Sequence, residues 1–165
     1  MATILTMVEK KQETLVEMTT KKIESCLSKL SEESSPQWGS MSAQHMIEHL
    51  EYTYRIASGE IQDFEIATPE KILDKVHATL YTYDKMPREY DFPLAEKSTI
   101  ETLKHDDLAS AKLKMLEARN EYLQAFKDDG EKTTKNVVFG HLNRYEWYLL
   151  ERKHLNHHFE QFQLL

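Results

Sequence analysis

The strongest constraint on the fold of this chain is its last uninterrupted run, residues 143–162, reading NRYEWYLLERKHLNHHFEQF. Asn143 followed three residues later by Glu146 is a capping-box pattern with an amide in place of the usual hydroxyl, so a helix is predicted to start there. Neither Gly nor Pro occurs anywhere in the run. At about 100° per residue, Trp147, Leu150, His154, His158, Gln161 and Leu165 share one stripe. Helices of a bundle usually fill such a stripe with leucine. Here two imidazoles and an amide occupy part of it, so something on this face needs nitrogen lone pairs. Glu151 lies at the edge of the stripe, whereas Lys153, Asn156 and Glu160 point elsewhere.

The rest of the chain reads as one all-α domain spanning residues 1–165. With only four Gly and four Pro in 165 residues, long helices are favoured over many tight turns. A first helix is predicted over residues 5–30, where Val8, Leu15, Val16, Ile23, Cys26, Leu27 and Leu30 recur at helical spacing. A second runs from the N-cap Ser42 to Ser58, with Gly59 just past its end. Thr68-Pro69 opens a shorter helix through Tyr83, with Ile72, Leu73, Val76 and Leu80 inward. Two prolines in KMPREYDFPLAE exclude regular helix there, and its Tyr90 and Phe92 are suited to covering one end of a bundle. A third long helix runs from Asp106 or Asp107 to Lys127, with Ala109, Leu113, Leu116, Leu123 and Phe126 as its stripe. The β-branched TTKNVVFGHL then pairs weakly or runs extended before the last helix. Four long amphipathic helices with one long connection, between the second and third, make a four-helix bundle.

Composition excludes several functions. A net charge of −7 disfavours a general nucleic-acid binder, which needs a basic face to neutralise phosphates. No apolar stretch approaches membrane-spanning length, and the N-terminus carries no sustained apolar run of a signal peptide. The single cysteine, Cys26, rules out an internal disulfide and fits a reducing, cytoplasmic compartment; lying among apolar positions, it reads as a small buried hydrophobe. Exposed aromatics around Tyr52, Tyr54, Tyr81 and Tyr83 are a candidate interface patch for a homodimer.

Chemistry concentrates on the histidines. His154 and His158, four apart on a helix, stack on one face about 6 Å apart at Cβ, the spacing by which one helix offers two imidazoles to a divalent ion. His49 lies about 60° from Met46 on the second helix and borders the core, whereas His45 is about 100° away and solvated. A third imidazole from this facing helix would complete a three-histidine metal site. The alternative is a cluster of buried histidines hydrogen-bonded to their neighbours. His157 is a flank residue, and His77 and His105 read as surface residues. Leu155 after His154 excludes the H-E-x-x-H protease helix. Glu151-x-x-His154 resembles half of a di-iron bundle site whose second Glu-x-x-His does not occur in the chain.

Two motifs carry a family resemblance: W-G-x-M-S-x-x-x-M-x-x-H from Trp38 to His49, and E-W-x-x-L-x-x-x-H-x-x-x-H-x-x-Q from Glu146 to Gln161. The chain resembles the DinB-like superfamily, which includes the YfiT-type metal-dependent hydrolases and thiol S-transferases. The resemblance implies a four-helix bundle, commonly a dimer, in which His49, His154 and His158 bind a metal and leave one position open. Relatives often carry His-Pro before the Phe-Gly that precedes the last helix; Asn136-Val137-Val138-Phe139-Gly140 stands here instead, so a function resting on that extra histidine is not carried over.

Three functional readings are open. In the first, the chain is a metal-dependent hydrolase or thiol S-transferase acting on a small-molecule substrate. Gln161 then orients a ligand or the bound water, and Glu151 is the nearest carboxylate for proton transfer. In the second, it is a metal-stabilised bundle that binds a small molecule or partner without turnover. In the third, the histidines serve packing alone. Imidazole suits Zn, Ni, Fe and Cu alike, so spacing does not name the ion; Zn or Ni is favoured, with Fe or Mn as alternatives.

Overall fold

The computed structural model describes residues 15–82, 84–88 and 102–165. The sequence reading of Tyr83, Tyr90 and Phe92, and of the first 14 residues, falls outside them. Among the described residues the chain is mostly helical: α1 (Thr20–Lys29), α2 (Ala43–Ser58), α3 (Glu70–Ala78), α4 (Leu108–Asp128) and α5 (Arg144–Gln161). A 3₁₀ turn, Thr79–Tyr81, comes directly after α3. The segment between α4 and α5 does pair, as the antiparallel strands β1 (Thr134–Asn136) and β2 (Gly140–Leu142) with Lys135 opposite His141. Asn136 Oδ1 closes the turn by accepting from the amides of Val138 and Phe139.

The helix ends are set by their caps. Ser42 Oγ accepts from His45 N at 3.2 Å to start α2, and Asp107 Oδ1 accepts from Ser110 N at 2.7 Å to start α4. Gly59 ends α2 at φ 91°, in the left-handed region where a side chain is strained. α5 opens with the complete capping box: Asn143 Oδ1 accepts from Glu146 N, and Glu146 Oε2 accepts from Asn143 N at 2.8 Å. Glu146 Oε1 also accepts from Tyr81 OH at 2.8 Å and pairs with His77 Nε2 at 2.7 Å, so one capping residue docks α3 and its 3₁₀ turn onto α5.

α1 is shorter than the periodicity suggests. Residues 15–19 are not helical, because Thr19 caps the helix and the preceding stretch is held by a side-chain amide instead. Buried Asn156 donates to Val16 O and accepts from Val16 N, both at 2.8 Å, as a paired strand would. The predicted stripe of α4 is also corrected. Leu113 is 63 % exposed and Leu123 38 %, while Leu108, Ala111, Met115, Ala118, Tyr122 and Phe126 are buried. Small residues won over leucines because α4 packs closely along α2, and Ala111 and Ala118 let the two backbones approach. On α3, Ile72 is largely exposed and Leu73 and Val76 are half-buried; Leu80, in the 3₁₀ turn, is the residue that reaches the core.

The core runs through all long elements. Trp147, Phe126 and Phe159 are among its largest fully buried side chains, each contributing about 1.5–3 kcal/mol on burial. Cys26 is buried, with Sγ 3.4 Å from Leu164 O, and burial pushes its thiol pKa up. Tyr54 lies in the core, stacked on Tyr122, so of the four tyrosines read as an exposed patch, Tyr81 is exposed and Tyr52 half-buried. His77 and His105 are not bare surface residues. His105 Nε2 lies 2.6 Å from Glu51 Oε2, and both rings are half-buried; a loop-to-helix carboxylate partner is invisible to helical spacing. No described helix is long and apolar enough to cross a membrane.

Candidate metal centre

Three imidazoles meet between α2 and α5. His49 Nε2 lies 2.8 Å from His154 Nε2, which lies 3.0 Å from His158 Nε2. One ring nitrogen of each falls within 4.8 Å of the others, as the shared core-facing phase of the two helices predicts. The rings pack edge to face at centroid distances of 4.6–4.9 Å. His158 is buried, and His49 and His154 are half-buried. His45 stays out of the cluster, its Nδ1 2.7 Å from Ser42 Oγ at the helix start.

The protonation of the cluster is dictated by its hydrogen bonds. Gln161 Nε2 donates to Trp38 O at 2.8 Å, which fixes the amide so that Oε1 faces His158 Nδ1 at 2.9 Å. Since Oε1 only accepts, Nδ1 of His158 carries the proton and its Nε2 is a bare lone pair. The central His154 Nε2 can then donate to His158 or accept from His49, but not both. With three neutral rings, one of the two short nitrogen contacts therefore goes without a proton of its own. Protonating a ring does not relieve this cheaply. Burial, then the neighbouring imidazoles, pushes His154 and His158 well below the ordinary histidine range and His49 down to about 4. Three neutral imidazoles so placed could hold a divalent cation, because neutral imidazole is the form that ligates a metal.

The loop before α2 holds Gln161 in place. Gln37 N donates to Gln161 O at 2.7 Å, and Gly39 sits at φ 75° where an added Cβ would lie 3.1 Å from Gln161 Nε2. Trp38-Gly39 and His-x-x-x-His-x-x-Gln thus belong to one assembly, although about 120 residues separate them in sequence. Helical phase alone suggests that Gln161 orients a ligand or water. In the structure its two amide atoms are engaged by His158 and Trp38, so it orients an imidazole.

Glu151 lies one turn before His154. Its Oε1 accepts from Tyr54 OH at 2.9 Å and from Arg119 Nε at 2.6 Å, and the Arg119 side chain is itself buried. Burial and the Glu151 charge push Tyr54 well above the ordinary tyrosine range. A cavity of about 10 Å³, room for roughly one water, lies between Glu151, Tyr54, Thr53 and His154. Arg119 escapes the sequence reading because the α4 stripe is phased there on leucines, and Tyr54 of α2 is read there as an exposed aromatic. Beside Ala118 on the corrected stripe, Arg119 stands out as a charge at a core position.

No family model, curated protein or solved structure matches the chain. The DinB-like resemblance rests on the two motifs alone.

Proposed function

We propose that this chain is a divalent-metal protein of the DinB-like four-helix-bundle type, with His49, His154 and His158 as ligands through Nε2. The observation that carries this reading is the pair of nitrogen contacts at 2.8 and 3.0 Å that neutral rings cannot both turn into hydrogen bonds. An ion held by three imidazoles supplies Lewis acidity at its remaining position, which suits hydrolysis or thiol transfer on a small molecule. Gln161 keeps His158 in the ligating tautomer. Glu151, pinned at Oε1 by Tyr54 and Arg119, borders the water-sized cavity beside His154 and is the carboxylate placed to take a proton there.

A second reading is favoured by the size of that cavity. Room for one water beside His154 suits a bundle that a metal stabilises without turnover. Metal analysis of protein purified without a histidine tag tests the common ground: about one Zn or Ni ion per chain is expected, and none in His158→Ala. Protein that takes up no divalent ion on reconstitution at pH 7.5 would leave a packing cluster. Chelation that lowers Tm while no ester, amide or thiol-transfer substrate turns over selects the second reading.

A further inference from the structure

On the far side of His157 from the histidine cluster lies a larger pocket of about 100 Å³, several times the space one water needs. Its polar lining is Trp38, Lys85, Arg88, Lys153, His157 and Glu160. Among the described residues three cations thus face one carboxylate, in a chain whose net charge is −7. The carboxylate is already matched, because Lys85 Nζ lies 2.8 Å from Glu160 Oε1. The Arg88 guanidinium stacks 4.5 Å over the Trp38 ring, which orients its fork while leaving its N–H groups at the edge. Lys153 is buried at 6 % exposure, and it spends two of its three N–H groups on Asp84 O at 2.7 Å and Thr82 Oγ1 at 3.3 Å. The indole Nε1 of Trp38 is buried with no acceptor among the described residues. His157 packs its ring edge-on against Trp38.

Among the described residues this lining is rich in donors and poor in acceptors. The one anion that acts on buried Lys153, Asp84, is not part of the lining, so an anion in the pocket would offset the cost of burying that charge. We infer that the pocket binds the oxyanion group of a small molecule, a phosphate or a carboxylate, with Arg88 and Lys153 as its charge partners. The assignment stands apart from the metal reading, since none of the three clustered histidines lines the pocket.

The test uses the full-length protein, treated with chelator, titrated with inorganic phosphate or with acetate by calorimetry at low ionic strength, with chloride as the control. Saturable binding of one oxyanion per chain is expected; the tighter of the two identifies the group. Arg88→Gln, at an exposed position that leaves the fold intact, should weaken binding roughly 10-fold or more. Glu160→Gln removes the only carboxylate of the lining among the described residues and should tighten binding several-fold. Lack of saturation by about 10 mM of either anion, or an equal response to chloride, overturns the assignment. So does binding that neither substitution changes.

Discussion

His158 Nδ1 and Gln161 Oε1 lie 2.9 Å apart on adjacent turns of α5, and this contact decides which nitrogen of His158 faces its neighbours. The amide is in turn fixed by the carbonyl of Trp38, so the tautomer of a helix residue is set by a loop from the other end of the chain. An imidazole whose second nitrogen is held this way is a better-oriented and more basic ligand.

Gln161→Leu should therefore lower metal affinity by about 10- to 100-fold while leaving all three imidazoles in place. It also strands the Trp38 carbonyl and His158 Nδ1–H, costing about 1–3 kcal/mol of stability. Competition with a chromophoric chelator reads the first effect, and urea unfolding the second. Unchanged affinity would mean that the amide does not act through His158.

Metal-free protein should lose stability as pH falls from about 6.5 toward 4. His49 titrates near 6.5 when unfolded and is pushed down to about 4 in the fold, so within this window the unfolded chain binds more protons. Stability then rises with pH, and His49 alone accounts for about 3 kcal/mol across the window. His154 and His158 shift in the same direction. Urea midpoints measured between pH 4 and 8 with chelator present should climb and then level off above about pH 7. A flat profile would contradict the buried, neutral cluster.

The Glu151 network predicts an asymmetry between its partners. Arg119→Met leaves a buried carboxylate without its cation and should cost about 3–5 kcal/mol. Tyr54→Phe removes one hydrogen bond to a charged acceptor and should cost about 1.5–3 kcal/mol. Double-mutant analysis by chemical denaturation should show coupling between the two, because both bonds end on the same oxygen.

The C-terminus predicts a stabilising change. Leu164 N bonds Phe159 O at 2.8 Å and Gln163 N bonds Glu160 O at 3.0 Å, the full Schellman pattern, with Gln163 at φ 56° where glycine is usual. Gln163→Gly should raise stability by up to about 1 kcal/mol, visible as a higher Tm. A lower Tm would mean that the backbone freedom gained by the unfolded chain outweighs the relieved strain.

Much of this protein is legible in local sequence. The caps Ser42, Asp107 and Asn143, the stop at Gly59 and the phase of His49, His154 and His158 are fixed by chemistry within a few residues. Hydrogen-bonding side chains and the 3.6-residue period act at that range, so a single sequence reveals them. Other features were decided by packing. The buried face of α4 is set by how closely α2 approaches, which favours Ala111 and Ala118 over Leu113 and Leu123, and hydrophobicity alone selects the leucines. The start of α1 depends on Asn156, and the role of Gln161 on the carbonyl of Trp38. The partners of Glu151, His77 and His105 likewise come from distant segments, because a buried polar group takes whichever donor or acceptor the fold brings within reach.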